Sequence, residues 1–229
     1  MNQRMSAERY ARIRALLAQR QPDLTVCLEE VHKPHNVSAV IRTCDSVGVH
    51  QIHAVWDKNA PMRKGTAMGS QIWVDTLTHH SIGDAVAHLK QQNMQVLVTN
   101  LDERAVDFRQ IDYTKPTAIL LGQEKTGATS EAIALADQSI VVPMCGMAQS
   151  LNVSVAAAVI MYEAQRQREN AGMYAKPQLA ESECQKVLFE GGFPILYKEC
   201  MRRGLDFPEI DETGAIQAPD SWWQSLKYS

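Results

Sequence analysis

Apolar residues recur along this chain in two rhythms. Short, nearly continuous apolar runs at 24–31, 50–56, 72–77, 95–100, 117–121 and 139–143 read as strands. Between most of them lie stretches with helical spacing, at 39–47, 82–92, 129–136 and 153–167. The punctuation agrees. Gly48 follows the first helical stretch as a residue free to take left-handed backbone, and Ser81 precedes the second as an N-cap. Strands that alternate with helices predict an α/β domain, its sheet mainly parallel and its helices on both faces. The stretch 57–69, with Lys58, Arg63 and Lys64, reads as a loop.

Both ends of the chain depart from this alternation. Residues 7–20 have helical period, with Tyr10, Ile13, Leu16 and Leu17 on an apolar stripe. Arg9, Arg12, Arg14 and Arg20 occupy much of the rest, either as a solvated face or as an RNA-contacting arm. Beyond Asn170, Pro177 breaks the chain, and 181–189 and 194–203 read as short helices separated by Gly191 and Gly192. The acidic, Pro-interrupted stretch 206–220 reads as irregular, with Trp222 and Trp223 near the end. The expected organisation is an N-terminal basic helix at 1–21, an α/β domain at 22–169 and a C-terminal helical extension at 170–229.

Composition narrows the class. The 229 residues are 45% hydrophobic, enough for one sizeable core. The net charge of −3 does not advertise nucleic-acid binding, so any RNA surface must be local. There is no run of about twenty apolar residues and no apolar signal segment at the N-terminus. The expectation is a cytoplasmic protein with no membrane partner. Cys27, Cys44, Cys145, Cys184 and Cys200 are scattered, odd in number and without a C-x-x-C pair. That predicts reduced thiols, with neither a disulfide framework nor a zinc site.

Ligands in open α/β sheets bind beyond the carboxyl ends of strands, and three loops follow predicted strands there. The first, His32-Lys33-Pro34-His35-Asn36, leads into the helix that carries Arg42 and Thr43. Asn36 is placed to be its N-cap, just after the restraint of Pro34. His32 and His35 lack an acidic or thiol companion, so no metal is expected. The second, Gly122-Gln123-Glu124-Lys125-Thr126-Gly127-Ala128-Thr129, looks superficially like a phosphate loop. Ala128, followed by Thr129, stands where a Walker loop requires its Lys, so the phosphate-reaching cation is missing and the ATPase reading is rejected. What remains is a glycine-bracketed loop whose backbone can approach a ligand, with Glu124 inside it. In the third, residues 143–154, Ser150 or Asn152 can cap the long helix that follows, or the free N–H groups there can receive an anion.

Taken in order, Asn36 with Arg42-Thr43, then Leu121-Gly122-Gln123-Glu124-Lys125-Thr126-Gly127, then Val142-Pro143-Met144 with Ser150-Leu151-Asn152-Val153-Ser154 resemble the three motifs of the SpoU branch of the SPOUT methyltransferases. The resemblance covers roughly residues 24–168. The N-terminal helix and Glu190-Gly191-Gly192-Phe193-Pro194 further resemble tRNA-modifying members of that branch.

The resemblance implies a trefoil knot in the C-terminal part of the catalytic domain, a homodimer, and S-adenosylmethionine as cofactor. It implies Thr99, Gly122, Val142 and Leu151 as the cofactor pocket, and tRNA as substrate, methylated on the ribose 2′-oxygen of guanosine 18 in the D-loop. It assigns activation of the hydroxyl to Arg42, a phosphate contact to Ser150, and ordering of the site to Asn36, Glu124 and Asn152. A guanidinium stays charged near neutral pH, and forcing it neutral costs roughly 7 kcal/mol. Stabilising the developing alkoxide and holding the adjacent phosphate is the alternative role for Arg42. Another ribose in tRNA or ribosomal RNA is the alternative target. A non-catalytic RNA-binding module is the alternative of another class.

Overall fold

The structure is a computed structural model that describes residues 4–56 and 72–226. Two compact units emerge: Gln21–Lys176, and Met1–Arg20 together with Pro177–Ser229. The loop expected at 57–69 lies outside the described residues.

The larger unit runs β1 (Leu24–Glu29), α2 (Pro34–Ser46), β2 (Gln51–Val55), β3 (Asp75–His79), α3 (Ile82–Gln91), β4 (Gln95–Thr99), β5 (Val106–Asp107), β6 (Thr117–Leu121), α4 (Ser130–Leu135), β7 (Gln138–Val141) and α5 (Val153–Asn170). α1 (Ala7–Ala18) precedes it in the chain. Among the described residues, seven strands form one sheet in the order β3-β2-β1-β6-β4-β7-β5, every pair parallel. β1 and β6 lie in its interior and are buried at every residue, so their sequences are apolar runs rather than alternations. β3 is an edge strand with no fully buried residue. It begins three residues later than the apolar run at 72–77 suggests, because Ile72, Trp73 and Val74 lie in 3-10, turn and bend conformation before it.

Alternate residues of each strand serve opposite faces. Leu24, Val26, Leu28, Ile119 and Leu121 pack with Val37, Val40 and Ile41 of α2 and with Ala157, Ile160 and Met161 of α5. Cys27, Ala118, Leu120, Val96 and Val98 pack with Ala85, Val86 and Leu89 of α3 and with Ala132 of α4. The helices therefore cover both faces, as expected. At the far end of α5, the fully buried Arg168 donates to the carbonyls of Tyr113, Asp23 and Lys115 and pairs with the Asp23 carboxylate. This fastens the long helix to the amino-terminal edge of the sheet.

α2 begins at Pro34, five residues before the helical spacing does. Proline at the first helical position brings its own φ and lacks only an N–H the helix would not use. Lys33 is the N-cap, without a side-chain capping bond. Asn36 is therefore not the cap: it sits inside the first turn and is only 2% exposed. Gly48 follows α2 with φ of 83°, and Ser81 caps α3 by accepting from Asp84 N, both as expected.

In the smaller unit, α1 packs on α6 (Glu181–Gly192), followed by α7 (Pro194–Arg203), β8 (Glu209–Ile210), β9 (Ile216–Gln217) and α8 (Asp220–Ser225). α6 runs through Gly191 and Gly192, and the break falls at Phe193 instead. A side chain at Gly192 would strike the Met5 methyl at 2.3 Å, so the glycine makes room for the segment before α1. The stretch 206–220 is not wholly irregular: β8 and β9 pair as a small antiparallel hairpin. Asp211 holds its turn, accepting from Thr213 N and Ala215 N. Phe189 anchors a cluster with Phe193, Tyr197, Phe207 and Trp222. All five cysteines are free; Cys145 is exposed and the other four are buried.

Candidate functional site

Four adjacent parallel strands end along one edge of the sheet: β1 at Glu29, β6 at Leu121, β4 at Thr99 and β7 at Val141. The loops leaving the last three enclose a cleft of about 550 Å³, a size suited to a nucleoside-sized ligand. It is lined by Thr99, Asn100 and Leu101 after β4, by residues 121–127 after β6, and by residues 140–142 and 149–153 with Ala156 around the start of α5. Thr99, Gly122, Val142 and Leu151, expected to hold a cofactor, all line this cleft. Glu124, Ser150 and Asn152 line it as well.

Gly122 is required by close approach. A Cβ there would lie 2.1 Å from Ala128 N and 2.4 Å from Gly127 O. The loop thus closes back on its own start, helped by the Gly127 N–H donating to Gln123 O at 2.9 Å and by Gly127 at φ of 72°. The result is a small ring of backbone facing the cleft.

A hydrogen-bonded chain ties the three loops together. Asn36 Nδ2 donates to Glu124 Oε1 at 2.6 Å, and Asn152 Nδ2 donates to Asn36 Oδ1 at 3.3 Å. Asn152 Oδ1 accepts from Ser154 N at 2.9 Å and thereby caps α5. Burial raises the Glu124 carboxyl's affinity for a proton and is the largest single influence on it. The Asn36 bond, its own backbone N–H, and the nearby Lys33 and His32 together outweigh burial and hold the group below its ordinary range. Glu124 is thus a carboxylate at neutral pH, half-buried and bonded.

Arg42 and Asn36 do not line the cleft. Arg42 lies two turns into α2 and is exposed, and its guanidinium has no hydrogen-bond or ion-pair partner among the described residues. Ser150 is exposed at the mouth of the third loop. In the smaller unit, Arg9 Nε donates to Gly191 O at 2.9 Å, and Arg14 forms a two-pronged pair with Glu181 at 2.7 and 2.9 Å. Arg12 is exposed and without a partner among the described residues.

The loop motifs left out Asn100 and Leu101. The rule that points to strand carboxyl ends finds them once it is applied to the strand at 95–99. Among the described residues, no group of three or more His, Cys, Asp or Glu is arranged to hold a metal ion. His53, His79 and His88 do cluster, with ring centroids 5.2–5.4 Å apart and only the first two stacked. Burial, then His79 and His88, pushes the His53 imidazole down to about 4, so it is neutral near pH 7. Among the described residues, no helix is long and apolar enough to cross a membrane.

Residues 23–162 match the SpoU rRNA Methylase family, and residues 166–219 match the C-terminal region described as SpoU, rRNA methylase, C-terminal. The chain is 60% identical over 227 residues to the tRNA (guanosine(18)-2′-O)-methyltransferase of Escherichia coli (strain K12), covering 97% of this chain and 99% of that one. It resembles the crystal structure of the TrmH/SpoU tRNA modifying enzyme of A. aeolicus with a TM-score of 0.75 and 43% identity, over 82% of this chain and 96% of that one. The SpoU methyltransferase AviRb from Streptomyces viridochromogenes, in complex with the cofactor AdoMet, aligns with a TM-score of 0.58 and 27% identity, over 66% of this chain and 62% of that one.

Proposed function

The chain belongs to the SpoU rRNA methylase family, and on that premise we propose that it transfers a methyl group from S-adenosylmethionine to the ribose 2′-oxygen of guanosine 18 in the tRNA D-loop. The observation that carries the reading is the cleft lined by Thr99, Gly122, Val142 and Leu151, with Glu124 and Asn152 on its wall and bonded through Asn36. The residues present fit this cofactor. Ile140, Val142, Leu151 and Ala156 offer apolar surface for a purine, and the tight backbone at Gly122 leaves room for close approach. The start of α5 and the polar side chains around it suit the charged amino-acid end.

Bound there, S-adenosylmethionine supplies an electrophilic methyl group to the incoming 2′-oxygen. Arg42, whose guanidinium has no partner among the described residues, stabilises the negative charge that develops on that oxygen and holds the neighbouring phosphate. Ser150 makes a second phosphate contact. Asn36 and Asn152 keep Glu124 and the third loop in place, so the groups need not reorganise during the reaction.

Residues 22–169 form the catalytic domain, with the family's knot in its C-terminal part. It is flanked by the basic helix of 1–21 and the helical extension of 170–229. Arg9, Arg12 and Arg14 contact the RNA backbone, with Arg9 and Arg14 exchanging their present partners for phosphate. The working form is a homodimer, supported by the exposed apolar row Val155, Val159 and Tyr162 along α5, which are 47%, 36% and 52% exposed. The site needs no metal, and the protein acts in the cytoplasm, a compartment that suits its free thiols. The test is to map the methylated nucleotide in tRNA from a strain lacking this gene and from the same strain complemented with it. Loss and recovery of 2′-O-methylation at guanosine 18 is expected; recovery at another position would overturn the assignment.

A further inference from the structure

Glu29 ends β1 and is only 3% exposed. Both of its carboxylate oxygens are taken by one residue. The Thr129 N–H donates to Oε2 at 2.9 Å, and the Thr129 hydroxyl donates to Oε1 at 2.6 Å. That hydroxyl also accepts from Ala132 N at 3.1 Å, capping α4. A buried carboxylate is expensive unless it is bonded in this way.

Thr129 is where the 122–128 loop ends. That loop is closed on itself, with Gly122 against the backbone of Gly127 and Ala128 and Gly127 N bonded to Gln123 O. It therefore has little internal freedom and shifts as one piece. Its placement over the cleft is set by what grips it from outside. Asn36 grips it at Glu124 and Glu29 grips it at Thr129. The piece is continuous with β6 at one end and runs through Thr129 into α4 at the other, and two outside grips leave it less freedom to tilt than one does. Both grips come from the short connection between the end of β1 and the first turn of α2, which leads on to Arg42.

We infer that Glu29 is a positioning residue: through Thr129 it fixes the tilt of the 122–128 loop and so governs the affinity of the cleft for the cofactor. The inference rests on reading that cleft as the S-adenosylmethionine site. It predicts a selective loss. Thr129→Val, which deletes the hydroxyl, and Glu29→Gln, which presents an amide where Thr129 donates, each raise the dissociation constant for S-adenosylhomocysteine. The rise is about ten-fold, the scale of one charge-assisted bond, and the KM for S-adenosylmethionine rises with it. The turnover rate at saturating cofactor changes far less. Thr129→Ser, which keeps both donors, restores tight binding.

Calorimetry with S-adenosylhomocysteine on the intact protein, paired with steady-state kinetics and thermal unfolding, tests the inference. A lower melting temperature with unchanged binding and KM in Thr129→Val overturns it, because a merely structural contact would do that. Thr129→Ser binding as weakly as Thr129→Val overturns it too. If Glu29→Gln does not fold, the two Thr129 variants still separate these outcomes. Wild-type protein that does not bind S-adenosylhomocysteine would instead overturn the cofactor assignment beneath it.

Discussion

Asn36 Nδ2 stands 2.6 Å from Glu124 Oε1, a charge-assisted bond between residues 88 positions apart. It fastens the helix that bears Arg42 to the loop that lines the cleft. Glu124→Gln keeps the shape and removes the charge. The expected result is a single-turnover rate reduced by about ten-fold or more, with cofactor affinity within a few-fold of wild type. Asn152→Ala acts differently. It removes the cap of α5 and frees the third loop, which the cofactor must then order at about 1 kcal/mol or more per residue fixed. Its cofactor dissociation constant should rise while the chemical step at saturation suffers less. Equal cofactor affinity in Asn152→Ala and wild type would show that this residue belongs to the other half of the site.

Arg42→Ala should nearly abolish methyl transfer in single-turnover assays and leave cofactor binding within a few-fold. The side chain lies outside the cleft lining and is exposed, so its loss creates no cavity and strands no partner among the described residues. Arg42→Lys should recover little, because a point charge does not replace a planar two-pronged contact to phosphate. Turnover near the wild-type rate in Arg42→Ala would remove this residue from the mechanism.

The three arginines of α1 should contribute unequally to tRNA binding. Arg12 is unpartnered among the described residues, so Arg12→Ala should lower the salt slope of tRNA binding by about one, as the loss of a phosphate contact does. Arg14→Ala also removes the pair with Glu181, an exposed contact worth at most about 1 kcal/mol. Filter binding across a range of salt concentrations separates the two. An unchanged slope in the triple alanine variant of Arg9, Arg12 and Arg14 would make this face merely solvated.

Acid should weaken the fold through His53. Its folded pKa of about 4 lies below the ordinary value of 6.5, so the unfolded chain takes up a proton first as pH falls. The stability it contributes is complete above about pH 6.5 and is lost as pH drops towards 4, a change of about 3 kcal/mol at full extent. Urea unfolding measured between these limits should show that slope in wild type and a shallower one in His53→Gln. Parallel curves would show that the ring is solvated.

Sedimentation should give a dimer at micromolar concentration. Val159→Glu, in the middle of the exposed α5 row, should shift it to monomer without unfolding, since the side chain already faces outward. A wild-type monomer would count against the homodimer.

Much of this molecule is legible in the sequence, and the parts that are not share a cause. The apolar runs at 24–29 and 117–121 announce buried strands, and helix between strand predicts parallel pairing. Periodicity carries no information on neighbours, however, and the order β1-β6-β4-β7 arises from contacts between distant segments. Asn36 shows the same limit. Its position after Pro34 suits a cap, yet the helix starts at the proline and the side chain turns to Glu124. Glu29 gives no local signal at all, because its meaning lies in Thr129, 100 positions away. Loop residues such as Gly122 are legible because their constraint is local: a tight return of the backbone needs a residue without a side chain.

The distribution of the thiols has a practical consequence. Cys145 is exposed, while Cys27, Cys44, Cys184 and Cys200 are buried. It lies between Val142 and Gln149, both on the cleft wall. A maleimide dye added to the unmodified protein will therefore attach at one place, on the segment that borders the cleft. The wild-type chain carries its own fluorescent reporter position, and ligand titrations can be followed by emission without any engineered cysteine.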